Sequence, residues 1–121
     1  MPEGARDERS SYPRKAPKSL KRSSLYREIY RTGRRYRGTA IKVVYRSNTL
    51  GAIRLGFSVS RRTGNAVKRN RFRRRIKTLA REEGVGLSVD MILSPVDRLE
   101  NATWSSIRSD FLSFLKLLGR N

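Results

Sequence analysis

Apolar and polar positions alternate most cleanly between Arg54 and Ser60, where Leu55, Phe57 and Val59 interleave with Arg54, Gly56, Ser58 and Ser60. A period of two predicts a strand with one buried and one polar face. The polar face, built largely on glycine and serine, is a candidate floor for a groove. The period then changes. Phe72, Ile76, Leu79 and Ala80 fall at i, i+4, i+7 and i+8, one apolar stripe of a helix. No Gly or Pro interrupts Ala66 to Arg81, and Asn65, after Gly64, is placed to cap its start. Glu82-Glu83-Gly84-Val85-Gly86 ends this helix. A further strand, Val89 to Leu93, follows and closes at Ser94-Pro95.

The flanks read more simply. A short helix is predicted between Ser19 and Thr32, begun by Ser23 or Ser24 as cap, with Leu25/Ile29 and Tyr26/Tyr30 as i, i+4 pairs. Gly33 ends it, and Arg34-Arg35-Tyr36-Arg37 reads as a charged edge strand. Thr39 to Arg46 is the next strand, with Ile41, Val43 and Tyr45 on one face and Ala40, Lys42 and Val44 on the other. Ser47 to Gly51 is a turn. Asn101 to Leu118 forms a final amphipathic helix, whose Trp104, Ile107, Phe111, Phe114, Leu115 and Leu118 are explained by core packing. Residues 1–18 hold three of the four prolines and few apolar groups, so they are expected to be a disordered basic tail before one domain at 19–121. The class is α+β, in the order helix, strands, helix, strand, helix.

Charge changes the picture. The 121 residues carry a net +19, and residues 29–81 contain no acid and 17 of the 29 basic side chains. Arg61 to Lys77 alone holds nine cations. Like charges at i, i+4 destabilise a helix, so this one needs its buried stripe and an anionic partner. Turning the wheel by about 100° per residue sets Arg69, Arg73 and Lys77 along one edge of the stripe, with Asn70 beside them. Lys68 and Arg75 flank the other edge, while Arg71 and Arg74 point outward. The stripe is too narrow for a membrane-surface helix, and no stretch approaches the ~20 apolar residues of a membrane span. Nucleic acid is the favoured partner over a merely supercharged surface.

Candidate catalytic chemistry is missing. With no His and no Cys, there is no acid–base imidazole, thiol nucleophile or zinc cluster. Asp90, Asp97 and Asp110 are scattered, and Glu82 and Glu83, being adjacent, diverge. A two-metal nuclease needs carboxylates converging on ions ~3.5–4 Å apart, which an acid-free basic block cannot supply. No catalytic and no metal-binding residue is assigned.

The run Ala66-x-x-Arg69-Asn70-x-x-x-Arg74-x-x-Lys77, preceded by Gly64 and by the strand G-F-S-V-S, resembles the signature of the bacterial ribonuclease P protein subunit. The resemblance extends from about Leu20 to Leu118. It implies a ribosomal-protein-like fold with a central mixed sheet and a left-handed βαβ crossover, against the usual right-handed rule. It implies a cytoplasmic protein that binds the ribonuclease P catalytic RNA and the 5′ leader of precursor tRNA. The chemistry, with its Mg²⁺, is then the RNA's, and no obligatory protein partner is expected. By matching positions, Arg61, Arg62, Lys68, Arg69, Asn70, Arg71, Arg73, Arg74, Arg75 and Lys77 are the expected RNA contacts. A leader-binding cleft would use Tyr26, Tyr30, Lys42, Val44, Ser58, Arg69, Arg73 and Lys77, where Val44 replaces an aromatic found in some relatives. Two other readings stay open: a non-catalytic ribosomal or RNA-chaperone protein, and a duplex-DNA reader, although base readout calls for a few specific side chains rather than a carpet of Arg.

Overall fold

A computed structural model of the chain describes residues 17–119. The expected tail, residues 1–18, therefore lies outside the described residues except at its last two positions. The second of these corrects the boundary: Lys18–Ser19 is a strand, β1. The remaining elements are α1 (Ser23–Thr32), β2 (Arg34–Arg37), β3 (Ile41–Ser47), β4 (Arg54–Phe57), α2 (Ala66–Glu83), β5 (Val89–Pro95) and α3 (Trp104–Gly119). Short 3₁₀ turns at Arg61–Thr63 and Leu99–Asn101 precede α2 and α3.

The five strands form one mixed sheet in the order β1-β4-β5-β3-β2. β4 lies parallel to both β1 and β5, while β3 is antiparallel to β5 and to β2. The β4–α2–β5 unit is thus a crossover between parallel neighbours. β5 is central and buried on both faces, which is why Val89, Met91, Ile92 and Leu93 read as a nearly continuous apolar run.

Each sheet face has its own cover. Ile41, Val43, Leu55, Met91 and Leu93 pack against Phe72 and Ile76 of α2 and Phe111 and Phe114 of α3. On the other face Val44 and Ile92 pack with Leu20 and Ile29 beneath α1. The alternation expected in β3 is kept from Ile41 onward, but Ala40, expected on the face of Val44, precedes the strand and packs with Ile41 and Val43 instead. Helix α1 begins later than expected: Ser19 belongs to β1, and the cap is Arg22, whose side chain makes no capping bond, so Ser23 and Ser24 are the first helical residues. β4 is also shorter than the alternation suggested, ending at Phe57. The Ser58 N–H still donates to the Leu93 carbonyl at 2.9 Å. The final helix starts at Trp104, because Asn101 completes a 3₁₀ turn.

Two acids hold this frame together. Asp90, with no exposed surface, is the one fully buried charged residue among those described. It accepts from Arg54 Nε (2.7 Å) and Nη2 (2.8 Å), from Asn48 Nδ2 (2.8 Å) and from Arg46 Nε (3.3 Å). Burial pushes this carboxyl up, but donation from Arg54, Asn48 and Arg46 outweighs it and holds Asp90 below the usual carboxylate range. Asp110 reaches from α3 to accept the N–H groups of Ala40 (2.6 Å) and Ile41 (3.1 Å), tying the β2–β3 turn to the helix layer.

Candidate nucleic-acid interface

Helix α2 is built as its sequence dictates. The Asn65 side chain accepts from the Lys68 N–H at 2.9 Å, satisfying one of the first-turn amides that a helix leaves unpaired. Phe72, Ile76, Leu79 and Ala80 are its buried residues. The cations then fall where the stripe leaves room. Arg69 and Arg73 are half-buried along one edge, and Arg71, Arg74, Arg75 and Lys77 are exposed.

The two edges differ in how their cations are held. Arg73 Nη1 donates to Asn70 Oδ1 at 2.9 Å, an i, i+3 bond that fixes the guanidinium against the helix. Arg69 Nε is enclosed by protein yet has no hydrogen-bond partner among the described residues. On the other edge the Arg75 guanidinium sits 5.0 Å from the centroid of the Trp104 ring, a cation–π contact between α2 and α3. Arg71 lines the same recess as Lys68 and Arg75. Arg71 is exposed, as its outward place on the wheel implied, and i, i+3 and i, i+4 spacing also groups it with those two on one side. Arg61 and Arg62 lie exposed on the 3₁₀ turn that leads into the helix.

On the α1 side of the sheet is a cleft of about 400 Å³, lined by Tyr30, Arg35, Tyr36, Arg37, Lys42, Val44, Ser58 and Ser94, among others. Four residues assigned to a leader cleft from sequence, Tyr30, Lys42, Val44 and Ser58, come together here. Val44 is almost fully buried, so it contributes floor rather than a stacking surface. Tyr26 does not line the cleft. Its hydroxyl accepts the Phe57 N–H at 3.1 Å, and its ring lies over Gly56, where a β-carbon would come within 2.6 Å of the phenol oxygen. The expected open floor of β4 is accordingly covered at Gly56, and Arg54 is bound to Asp90. Only Ser58 of that face lines the cleft.

Arg69, Arg73 and Lys77 are not part of the cleft lining either. They stand on α2, which packs on the opposite face. The Phe57 ring meets Phe72 edge-on at 6.1 Å, however, so α2 packs against the end of β4, one residue before Ser58 in the chain. Two cleft cations escaped the sequence reading. Arg35 and Arg37 sit opposite Val44 and Lys42 in the β2–β3 ladder, and the only signal for them was the charged edge strand itself. Arg35 also donates to the Tyr30 carbonyl at 3.2 Å, joining the strand to α1.

Chemically the arrangement offers cations, a few aromatic faces and no convergent acids. Among the described residues no group of three or more His, Cys, Asp or Glu side chains is placed to hold a metal ion. No described helix is long and apolar enough to cross a membrane.

Comparison with known proteins agrees with this geometry. The family model for ribonuclease P matches residues 15–119. The ribonuclease P protein component of Finegoldia magna is 32% identical over 97 residues, covering 77% of this chain and 83% of its own. That of Syntrophomonas wolfei is 28% identical over 102 residues, covering 83% of this chain and 86% of its own. The solved structure of the Staphylococcus aureus RNase P protein superposes with a TM-score of 0.73 at 27% identity, covering 82% of this chain and 93% of its own. The Thermotoga maritima RNase P protein shares the fold, with a TM-score of 0.71.

Proposed function

Since the chain belongs to the ribonuclease P protein family, we propose that it binds the catalytic RNA of ribonuclease P and the 5′ leader of precursor tRNA, and that the RNA performs the cleavage. The observation that carries this reading is one of charge placement. A cationic helix with no acid before Glu82 packs against the end of the strand that leads into a cleft lined by further cations and an exposed Tyr30 ring, while Asp90 and Asp110 are occupied within the fold.

The protein's share is electrostatic and geometric. Two RNAs brought together repel through their phosphates, and a basic protein surface offsets that repulsion, lowering the Mg²⁺ the complex requires. The Mg²⁺ ions that assist hydrolysis are held by the RNA. Arg suits the task because its planar fork matches phosphate oxygens. Tyr30, Lys42 and Ser58, with Arg69, Arg73 and Lys77, hold the single-stranded leader. Val44 floors the cleft beneath it. Stacking on Tyr30 serves any base, because every base has a π-face. Arg71, Arg74 and Arg75, with Lys68 and the loop cations Arg61 and Arg62, face the catalytic RNA. Mature tRNA lacks the leader, so the cleft favours substrate over product.

The test is to replace the two groups separately. Alanine at Arg69, Arg73 and Lys77 should weaken the complex's hold on precursor tRNA more than the protein's hold on bare catalytic RNA. Alanine at Arg71, Arg74 and Arg75 should do the reverse. Equal losses in both assays from either set would refute the division.

A further inference from the structure

Between α2 and α3, on the sheet face opposite the cleft, lies a second recess of about 210 Å³. Trp104, Phe72 and Ile107 supply its apolar lining, and Lys68, Arg71 and Arg75 its charge. Trp104 is the chain's only tryptophan, and it is half-buried while its helix neighbours Ile107 and Phe111 are fully packed. Core packing alone therefore leaves part of this ring unused.

We propose that this recess takes one unstacked nucleobase of the catalytic RNA, lying against the Trp104 ring, with the adjoining phosphates held by Lys68, Arg71 and Arg75. The inference rests on the reading that this RNA is the partner. Three features carry it. The lining holds three cations and no acid, so an anionic ligand is favoured. The volume falls below the roughly 300–1,000 Å³ of pockets that enclose drug-sized ligands, which leaves room for one flat ring rather than an extended molecule. Finally, a guanidinium already rests on the indole at 5.0 Å, so the ring presents a face to a planar cation. That same face suits a base, and the Arg75 fork turns to a phosphate when the base arrives. Protein recognition of folded RNA targets bulged and looped nucleotides whose bases are free to stack in this way. A leader lying in the cleft occupies the other face of the sheet, so the base comes from the catalytic RNA.

A single tryptophan makes the site directly readable by fluorescence. The full chain is titrated at fixed salt with catalytic RNA, and separately with a single-stranded leader oligonucleotide. Emission should be quenched by the catalytic RNA and not by the leader. Trp104→Leu keeps apolar contact but has no stacking face, and should bind the catalytic RNA about 5- to 150-fold more weakly, the worth of one base–aromatic stack. Trp104→Phe should keep most of the affinity. Unquenched emission at saturating catalytic RNA, equal quenching by the leader, or a Leu variant that is folded and binds like wild type would each overturn the site. Should the Leu variant melt below the assay temperature, the wild-type titration and the Phe variant decide. A wild-type chain that does not bind catalytic RNA at all overturns the parent reading as well, whereas tight binding with unchanged emission overturns this site alone.

Discussion

Arg54 grips Asp90 with two nitrogens at once, Nε at 2.7 Å and Nη2 at 2.8 Å, across the parallel β4–β5 pair. This pairing withdraws one cation and one acid from the protein's surface chemistry and fixes the strand that leads to the cleft. Removing one partner of a buried ion pair costs about 3–5 kcal/mol, because the other charge is left unpaired. Arg54 and Arg46 keep about a fifth of their side-chain surface, 22% and 23%, so the lower end applies. Asp90→Asn should lose about 3 kcal/mol of stability in denaturant titration at neutral pH.

The same carboxylate sets an acid limit. Its folded-state pKa lies below its ordinary value, so its stabilisation is fully present above the unfolded pKa, about 3.9, and is lost as pH falls through the folded one. Wild-type stability should therefore drop as pH is lowered below about 4. The Asp90→Asn variant should lose less over the same range. Parallel acid titrations of the two, followed by circular dichroism, test this.

Tyr26 and Tyr30 should separate by readout. Tyr26→Phe removes the acceptor for the Phe57 N–H and should cost about 1 kcal/mol of stability, with little direct effect on leader binding. Tyr30 is exposed and lines the cleft. Tyr30→Ala should leave thermal stability nearly unchanged and weaken precursor tRNA binding by about 1–3 kcal/mol, the range for one stacked base. Thermal melts and competition binding on the same two variants check it.

Gly38 tests the second structural acid. A β-carbon there would meet the Asp110 carboxyl at 2.5 Å, displacing the acceptor of the Ala40 and Ile41 amides. Gly38→Ala should destabilise by about 1–3 kcal/mol, the cost of leaving such groups unsatisfied. Asp110→Ala should lose a similar amount, and the double variant less than the sum, because both act on one contact.

What the sequence made legible was local. The Phe72–Ile76–Leu79–Ala80 stripe, the Asn65 cap and the two faces of β3 follow from spacing alone, and the structure keeps them. The signature around Arg69 and Asn70 then carried the family. The rest depended on partners distant in the chain. β1 is two polar residues whose strand character comes from pairing with Arg54 and Leu55. Asp90 sits in an apolar run with partners 36, 42 and 44 positions away, so it read as a scattered acid. Tyr26 and Tyr30 looked equivalent on a helical wheel, but the close approach at Gly56 takes the first into the fold and leaves the second at the cleft. Trp104 looked like core because the wheel cannot show that a guanidinium occupies its free face.

Reconstitution decides whether the RNA does the cutting: protein and catalytic RNA are combined at low Mg²⁺ with a precursor tRNA, and 5′-end cleavage is followed for each component alone and together. The pair should cleave at the mature 5′ end, the RNA alone should cleave little, and the protein alone not at all. Cleavage by purified protein free of nucleic acid, or RNA turnover at scarce Mg²⁺ that the protein leaves unchanged, would contradict this expectation.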